Sequence, residues 1–342
     1  MAQLEFEIIR KYFRDSGLGF RREGVSLGIG DDCALLDPQP DQQLAISLDL
    51  LQEGVHFPES AVPELVAYRA LAVNLSDLAA VGAEPWCFTL GLAIPQADPV
   101  WLEAFSRGLL DIAKKYNCPL VGGDLIHGTL NIAIQVQGLV PRGKAMLRSA
   151  AKPGDMIYVT GTLGDAAIAL SIFNALAGVD RVKEGAPQAD RQKLSSSHRD
   201  FFINRFYKPQ PAIAAGILLR DFANACIDLS DGLLNDLGHI VEDSGVGAEL
   251  DFEQLPYSAA MLASVTPEHR RQAALCGGDD YELCFTVPPD RCLDMEHELA
   301  SKQITFKRIG EIVSGKGIQC LDSQGEPVAI NATTFSHFSE GD

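Results

Sequence analysis

One stretch decides how the chain is interpreted: Leu27-Gly28-Ile29-Gly30-Asp31-Asp32-Cys33-Ala34-Leu35-Leu36. An apolar run is interrupted there by two glycines and then by two adjacent carboxylates. Glycine permits tight turns and close approach of the backbone to a ligand, and adjacent side chains on extended backbone point to opposite faces. We therefore expect one aspartate, Asp32 rather than Asp31, to face a site. A plain turn before a strand would also favour aspartate at these positions.

The size and charge of the chain limit the classes of function. With 342 residues the chain exceeds the length at which one core usually stops growing, so two domains are expected. The formal net charge is −18, and such a field repels nucleic acid and anionic membranes, so neither is expected as a partner. An anionic substrate would need a local reversal of sign, which bound divalent cations supply.

The eight cysteines include no Cys-x-x-Cys pair, which argues against a zinc ribbon or a thioredoxin motif. Several lie in apolar runs, where cysteine behaves as a small hydrophobic residue, so we expect reduced, buried thiols. The first residues show no signal-peptide pattern, and the longest apolar run, 166–179, is too short to span a bilayer. These features together predict a cytoplasmic protein.

Strand and helix patterns alternate along both halves, which predicts a mixed α/β fold in each domain. The sequence predicts a helix that begins at Pro63 and ends at about Ala80, with Gly82 as the residue that terminates it. Segment 44–49 is typical of a buried strand ending in an acid, and strand 119–121 is expected to end in Gly122-Gly123-Asp124. Basic and turn residues collect in 141–155, so the domains are predicted as 1–148 and 149–342.

Six aspartates are predicted at strand ends or on one very apolar helix: Asp32, Asp49, Asp77, Asp124, Asp228 and Asp231. If these carboxylates converge, they need protons or bound cations, because two unit charges ~4 Å apart repel by about 4 kcal/mol at an effective dielectric constant of 20. Hard oxygen ligands select Mg²⁺, Mn²⁺ or Ca²⁺. Clusters of this kind serve phosphoryl transfer. The sequence contains neither a Walker A motif nor the protein-kinase motifs, so we expect a phosphate site built from metals and acids.

An ordered set of motifs resembles the thiamine-monophosphate kinase family over about residues 4–338. The set comprises Gly28-Ile29-Gly30-Asp31-Asp32, Ser47-Leu48-Asp49, His56, Asn74-Leu75-Ser76-Asp77-Leu78-Ala79, Gly122-Gly123-Asp124, Arg148, Ile227-Asp228-Leu229-Ser230-Asp231-Gly232 and Gly277-Gly278-Asp279-Asp280-Tyr281-Glu282. The resemblance implies a two-domain fold of the aminoimidazole ribonucleotide synthetase type, with the N-terminal domain binding ATP and Mg²⁺ and forming a homodimer. It also implies ATP-dependent phosphorylation of thiamine monophosphate to thiamine diphosphate with several Mg²⁺ ions, the last step in making that cofactor.

The resemblance assigns roles to individual residues. The implied metal ligands are Asp32, Ser47, Asp49, Asp77, Asp124, Asp228 and Asp231. The implied nucleotide contacts are Gly123, Asp124, Arg148 and Ser230, and the implied contacts to the thiamine phosphate are His56, Asp279 and Phe335. Three positions depart from the family pattern: Leu48 and Leu125 stand where threonine is usual, and Asp279 stands where glutamate is usual.

Less specific interpretations stay open for several of these residues. Arg148 could be a surface arginine, His56 a loop histidine, Phe335 a core residue and Asp77 a structural buried acid. The alternative functions are an ATP-using synthetase of the same fold, a non-catalytic divalent-ion or nucleotide sensor, and a carboxylate-based metallophosphatase. No activated nucleophile is apparent, so direct in-line transfer is the predicted chemistry, with metals and Arg148 stabilising the charge.

Overall fold

The computed structural model describes residues 2–59, 61–176 and 194–328. The chain divides into two compact units, Met1–Ala145 and Met146–Asp342. The predicted boundary after residue 148 therefore lies slightly late, and Arg148 belongs to the second unit. The reason is local: Leu147 forms a β-bridge with Ala225, and the Ser244 hydroxyl donates to the Arg148 carbonyl at 3.0 Å.

The described residues of the first unit form a helical segment at the start, two further helices and six strands. The helices are α1 (Ala2–Ile8), continued by a π-helical turn (Ile9–Arg14), α2 (Pro63–Ala80) and α3 (Pro99–Lys115). The strands are β1 (Val25–Leu27), β2 (Leu35–Leu36), β3 (Gln42–Gln52), β4 (Glu84–Ile94), β5 (Leu120–His127) and β6 (Asn131–Pro141). The helix predicted from Pro63 to Ala80 is confirmed.

Strands β3, β6, β4 and β5 form a sheet in that order, in which only the β4–β5 pair is parallel. Helix α2 packs on this sheet and helix α3 packs on α2. The two helices approach so closely that a Cβ on Gly108 would lie 2.0 Å from the Glu64 carbonyl oxygen. Apolar residues on the helix side of the sheet, such as Ile132, Ile134 and Val136, are fully buried.

The opposite face of β3 is apolar and exposed. Ile46, Leu48 and Leu50 are 56%, 50% and 55% exposed, and Leu44 continues the row. The prediction of a buried strand ending at Asp49 is therefore wrong in two respects, since the strand runs on to Gln52 and only its alternate residues turn toward the helices. The strand predicted to end at Gly122-Gly123-Asp124 also continues, to His127.

The second unit contains a six-stranded mixed sheet with the strand order β12-β9-β11-β7-β10-β8, in which only the β12–β9 pair is parallel. The strands are β7 (Met156–Thr160), β8 (Ala225–Asp228), β9 (Gly247–Asp251), β10 (Leu283–Val287), β11 (Phe306–Val313) and β12 (Gly317–Leu321). The described helices are α4 (Asp165–Leu176), α5 (Ser196–Tyr207), α6 (Ile213–Leu219), α7 (Leu233–Ser244), α8 (Ala259–Ser264), α9 (Pro267–Cys276) and α10 (Cys292–Ser301).

The core of the second unit forms where α7 packs on this sheet. Leu233, Leu237 and Ile240 of the helix join Val159 and Ile227 of the strands in one buried cluster. The mixed α/β class predicted for both halves is confirmed. Within the described ranges, no helix combines the length and apolar character needed to cross a membrane.

Candidate active site

Three predicted site residues of the first unit line one cavity of about 770 Å³: Asp32, Gly123 and Asp124. Asp31 lines the same cavity, and both adjacent aspartates are exposed. Which of the two aspartates faces a bound ligand stays a prediction. Within the pair, the Asp31 Oδ1 atom accepts a hydrogen bond from the Asp32 N–H at 2.8 Å.

The same cavity holds two arginines and a thiol that the sequence did not single out. Arg10 and Arg14 reach it from the N-terminal helical segment, so guanidinium groups and carboxylates share its wall. Cys33 also lines the cavity and is exposed, because it belongs to the turn and not to a core strand. The expectation of buried thiols is wrong for Cys33, while five of the other cysteines are buried: Cys87, Cys118, Cys226, Cys284 and Cys320.

Gly123 is required by the packing of the strands. A Cβ at this position would lie 2.0 Å from the Leu90 carbonyl oxygen, well inside contact distance. Glycine thus lets β5 continue past the point where a side chain would force the strands apart. Asp124 then follows within the strand, with Gly91 as its partner on β4.

A second group of predicted residues lies where β3 meets α2. The Ser47 hydroxyl donates to the Asp77 Oδ2 atom at 2.5 Å, and the Asp49 N–H donates to the Asn74 Oδ1 atom at 3.0 Å. Asn74 and Asp77 are three residues apart and share one face of the helix. Ser47, Asp49 and Asp77 are thus brought together at one junction, whereas the Leu48 side chain lies on the exposed face of the strand.

The two groups lie at opposite edges of the four-stranded sheet. Asp49 pairs with Ile134, Ile134 with Leu90, and Leu90 with Gly123. Three strand spacings separate the ends of this row, about 14 Å at the usual strand separation. Asp49 and Asp124 of one chain therefore cannot bind the same ion.

His56 follows β3 in a turn. Its Nδ1 atom accepts from the Gln52 N–H at 3.0 Å. A neutral imidazole that accepts at Nδ1 carries its proton on Nε2.

In the second unit, three predicted residues lie on the turn between β8 and α7. Asp228 is the last residue of β8 and is buried, and Ser230 and Asp231 follow in the turn. The turn is held by Asp236, whose Oδ2 atom accepts from the N–H groups of Asp231 and Gly232 at 3.0 and 3.1 Å. Burial raises the pKa of Asp236 to about 7, against the lowering effect of those N–H groups.

Asp236 is a residue that sequence reasoning missed. A signal was present, because an acid in the first turn of a helix commonly accepts from free N–H groups. Asp236 lies four positions after Gly232, in the first turn of α7.

The segment that contains Asp279 is hydrogen-bonded to the same turn. The N–H of Asp279 donates to the Ser230 carbonyl and the N–H of Tyr281 donates to the Leu229 carbonyl, both at 2.8 Å. A Cβ on Gly278 would lie 2.4 Å from the Ser230 carbonyl oxygen, so the close approach requires glycine. The structure thus places a predicted substrate contact directly beside a predicted nucleotide contact.

Among the described residues, Arg148 is a predicted site residue that the contacts above do not join to these groups. The Arg148 side chain is exposed at the start of a 3₁₀ turn (Arg148–Ala150), whose backbone contacts Ser244 of α7. Phe335 lies outside the described residues. That the acids of both halves converge stays a prediction.

The donors present bear on metal binding. Across 2–59, 61–176 and 194–328, no three His, Cys, Asp or Glu side chains form a group that could by itself hold a metal ion. Magnesium is usually bound by one or two carboxylates, with waters and substrate phosphates completing its shell. The aspartates of the cavity and the Ser47–Asp77 pair suit that pattern, so the residues present fit Mg²⁺ bound together with a phosphate ligand.

Comparison with known proteins identifies the family. Residues 30–140 match the model for the AIR synthase related protein, N-terminal domain, and residues 152–322 match that for the C-terminal domain. The thiamine-monophosphate kinase of Escherichia coli (strain K12) is 44% identical over 339 residues, which cover 99% of each chain. The chain belongs to the thiamine-monophosphate kinase family.

Solved structures of this family agree with the fold. The thiamine-monophosphate kinase of Stenotrophomonas maltophilia K279a is 38% identical with a TM-score of 0.82, over 94% of this chain and 97% of that one. A structure of AaThiL complexed with AMPPCP and TMP is 26% identical with a TM-score of 0.73, over 99% and 98% of the two chains. The resemblance stated from the motifs and the predicted two-domain fold are confirmed.

Proposed function

We propose that this protein transfers the γ-phosphoryl group of ATP directly to thiamine monophosphate, giving thiamine diphosphate and ADP. The observation that carries the proposal is the 2.8 Å hydrogen bond from the Asp279 N–H to the Ser230 carbonyl. This bond puts Asp279, which is assigned to thiamine monophosphate, next to Ser230, which is assigned to ATP, and an in-line transfer requires the two ligands to be adjacent. The related structure with AMPPCP and TMP supports the same pair of ligands.

The transfer needs little help from a general base. The attacking atom is a phosphate oxygen of low pKa, so the main barrier is repulsion between two anionic phosphates. Arg148 would neutralise part of that charge, because a guanidinium can hold a phosphate with two parallel hydrogen bonds. His56 would contact the acceptor phosphate, and Phe335 would contact the thiamine.

The implied metal is Mg²⁺, in several ions. In the first unit, Asp32 and Asp124 would bind it at the cavity, and Ser47, Asp49 and Asp77 at the junction of β3 and α2. The 14 Å separation estimated above supports distinct ions for the two groups. Asp228 and Asp231 would bind it in the second unit. Bound Mg²⁺ would offset the phosphate charge and that of the protein, which is −18.

The functional form is proposed to be a cytoplasmic homodimer joined through the first unit. The support is the exposed row of Leu44, Ile46, Leu48 and Leu50 on β3. Contiguous apolar patches of this kind mark interaction surfaces. A second copy of the same sheet would bury the row by two-fold symmetry, the commonest arrangement of homodimers.

A coupled ADP-release assay with and without thiamine monophosphate tests the proposed reaction. The expected result is ADP release that requires thiamine monophosphate and yields equimolar thiamine diphosphate. ADP release only with another acceptor would favour a synthetase of the same fold, and ATP binding without ADP release would favour a sensor. Phosphate release that needs no acceptor would favour a metallophosphatase, and each of these three results contradicts the proposal.

A further inference from the structure

Side chains in the segment Asp279–Glu282 alternate between two surroundings. Asp279 and Tyr281 contact each other, with the Tyr281 hydroxyl donating to the Asp279 Oδ1 atom at 3.1 Å. Asp280 and Glu282 are only 3% and 8% exposed. They enter a largely buried polar cluster, the "Arg205 cluster", whose members are Thr160, Thr162, Asp165, Arg205, Ser258, Asp280 and Glu282.

The Arg205 cluster anchors the segment through both acids. Both oxygens of Asp280 accept from the Gly164 N–H, at 2.9 and 2.8 Å. Glu282 accepts from the Thr160 hydroxyl at 2.6 Å and from Arg205 Nη2 at 3.0 Å. A Cβ on Gly161 would lie 2.1 Å from the Glu282 Oε1 atom, so the carboxylate occupies the space that a side chain there would fill.

Arg205 supplies the positive charge that these acids face. Its side chain is 15% exposed, and its Nε atom lies 3.8 Å from the Asp165 Oδ2 atom while Nη2 contacts Glu282. The charges of Arg205, Asp165 and Glu282 also act on the pKa of Asp280. Without the guanidinium, three carboxyl groups would share a poorly solvated space, and removing one partner of such a group is strongly destabilising.

The backbone above the cluster needs such an anchor. Asp279 and Tyr281 have φ values of 70° and 51°, in the left-handed region that is uncommon for residues other than glycine. Conformations of this kind persist where the surroundings fix them. In this segment the fixing contacts are the hydrogen bonds to Leu229 and Ser230 on one side and the Arg205 cluster on the other.

We infer that Arg205 is a positioning residue for the phosphate acceptor, acting through Glu282 to hold the segment from which Asp279 reaches thiamine monophosphate. The inference rests on the proposed function for the identity of the acceptor. It assigns no contact between Arg205 and substrate. Arg205 therefore governs binding of the acceptor and leaves binding of ATP nearly unchanged.

The first experiment compares KM values in the full-length protein. Arg205→Met is expected to raise KM for thiamine monophosphate at least tenfold and KM for ATP less than twofold, with partial rescue by Arg205→Lys. Arg199→Met, on the same helix but exposed and next to Asp200, is the matched control and should change neither value. In an Asp279→Ala background, Arg205→Met should add less than twofold, because both changes remove the same contact. Equal changes in the two KM values, or additive effects, would overturn the inference.

The second experiment needs no substrate. Hydrogen exchange in a peptide spanning 277–282 is expected to speed up at least tenfold in Arg205→Met, while exchange in β10 stays unchanged. If Arg205→Met does not fold, Glu282→Gln serves instead, with a smaller change in the same direction. Unchanged exchange refutes the anchoring step even if turnover is seen. Wild-type protein without acceptor-dependent ADP release refutes the proposed function, and with it the assigned acceptor, whatever the exchange result.

Discussion

The Ser47 hydroxyl donates to the Asp77 carboxylate at 2.5 Å, which joins the middle of strand β3 to helix α2. A hydroxyl bound to an ionised carboxylate forms a short, charge-assisted hydrogen bond. The bond fixes the orientation of the Asp77 carboxylate, and therefore the direction of its other oxygen as well. Strand and helix thus jointly set the geometry of this proposed metal ligand.

Replacing Asp77 by asparagine should lower kcat by about 100-fold or more, the usual loss when a preorganised charge is removed from a transition state. The side chain keeps its volume and can still accept from Ser47, so the melting temperature should change little. The measurement is steady-state ADP release at saturating Mg²⁺. Asp111→Asn, at an exposed position of neighbouring helix α3, is the control and should keep wild-type kcat. Near wild-type turnover of Asp77→Asn would remove Asp77 from the mechanism.

Replacing Leu48 by lysine should convert the proposed dimer to monomer. Burying an unpaired ammonium in an apolar interface costs several kcal/mol, and each ~1.4 kcal/mol raises Kd tenfold. Light scattering after size exclusion should show the mass halved at micromolar concentration. Val100→Lys places the same charge on another exposed apolar residue, 76% exposed on α3, and should leave the mass unchanged. A dimeric Leu48→Lys protein would mean that copies associate through another surface.

Two helical glycines should respond to alanine in opposite directions. Gly108→Ala places a Cβ 2.0 Å from the Glu64 carbonyl and should lower the free energy of unfolding by about 2 kcal/mol or more. Gly238→Ala, in α7, meets nothing within 4 Å and should raise it by about 0.5–1 kcal/mol. Urea unfolding of both variants measures the two changes. The same sign for both would contradict the close approach of α2 and α3.

The buried carboxyl of Asp280 should make stability depend on pH. Burial raises its pKa well above the usual range, against the lowering effects of the Gly164 N–H and Arg205, while Asp165 and Glu282 raise it further. Because the folded state holds this proton more tightly than the unfolded state, whose pKa is about 3.9, folding is favoured at low pH. That contribution is lost as the pH rises from there through the folded pKa.

The free energy of unfolding of Asp280→Asn should therefore fall less between pH 4 and pH 8 than that of the wild type. Denaturant unfolding at a series of pH values gives the comparison. Asp290→Asn, at an exposed position, is the control and should follow the wild-type pH dependence. Parallel curves for Asp280→Asn and wild type would show that Asp280 titrates alike in both states.

The fold was predictable where proline and glycine residues mark the start and the end of an element. Pro63 begins helix α2 and the turn at Gly82 follows its end, as predicted. The sequence predicts an end of strand β5 at Gly122-Gly123 because two glycines are typical of a turn. In the structure, Gly123 instead allows a close contact with Leu90 of the neighbouring strand, which is distant in the sequence. Local sequence does not report such a contact.

The sequence predicts a set of site residues but not their geometry. The Ser47–Asp77 bond and the Asp279–Ser230 bond each join segments far apart in the chain, so no local pattern could place them. The role of Arg205 was not foreseen, because a single arginine in a helix has no motif to mark it. The exposure of Leu48 was not predicted, because an apolar residue in a strand gives the same sequence pattern whether the core of its own chain or another molecule covers it.

Strand β3 alternates Ser47 and Asp49 on one side with Ile46, Leu48 and Leu50 on the other. Inserting or deleting one residue within Gln42–Gln52 would exchange the two rows completely, since the side-chain period is two. Point substitutions can alter either row alone, but a change in length alters both. Natural variants of this protein should therefore differ in the composition of this strand long before they differ in its number of residues.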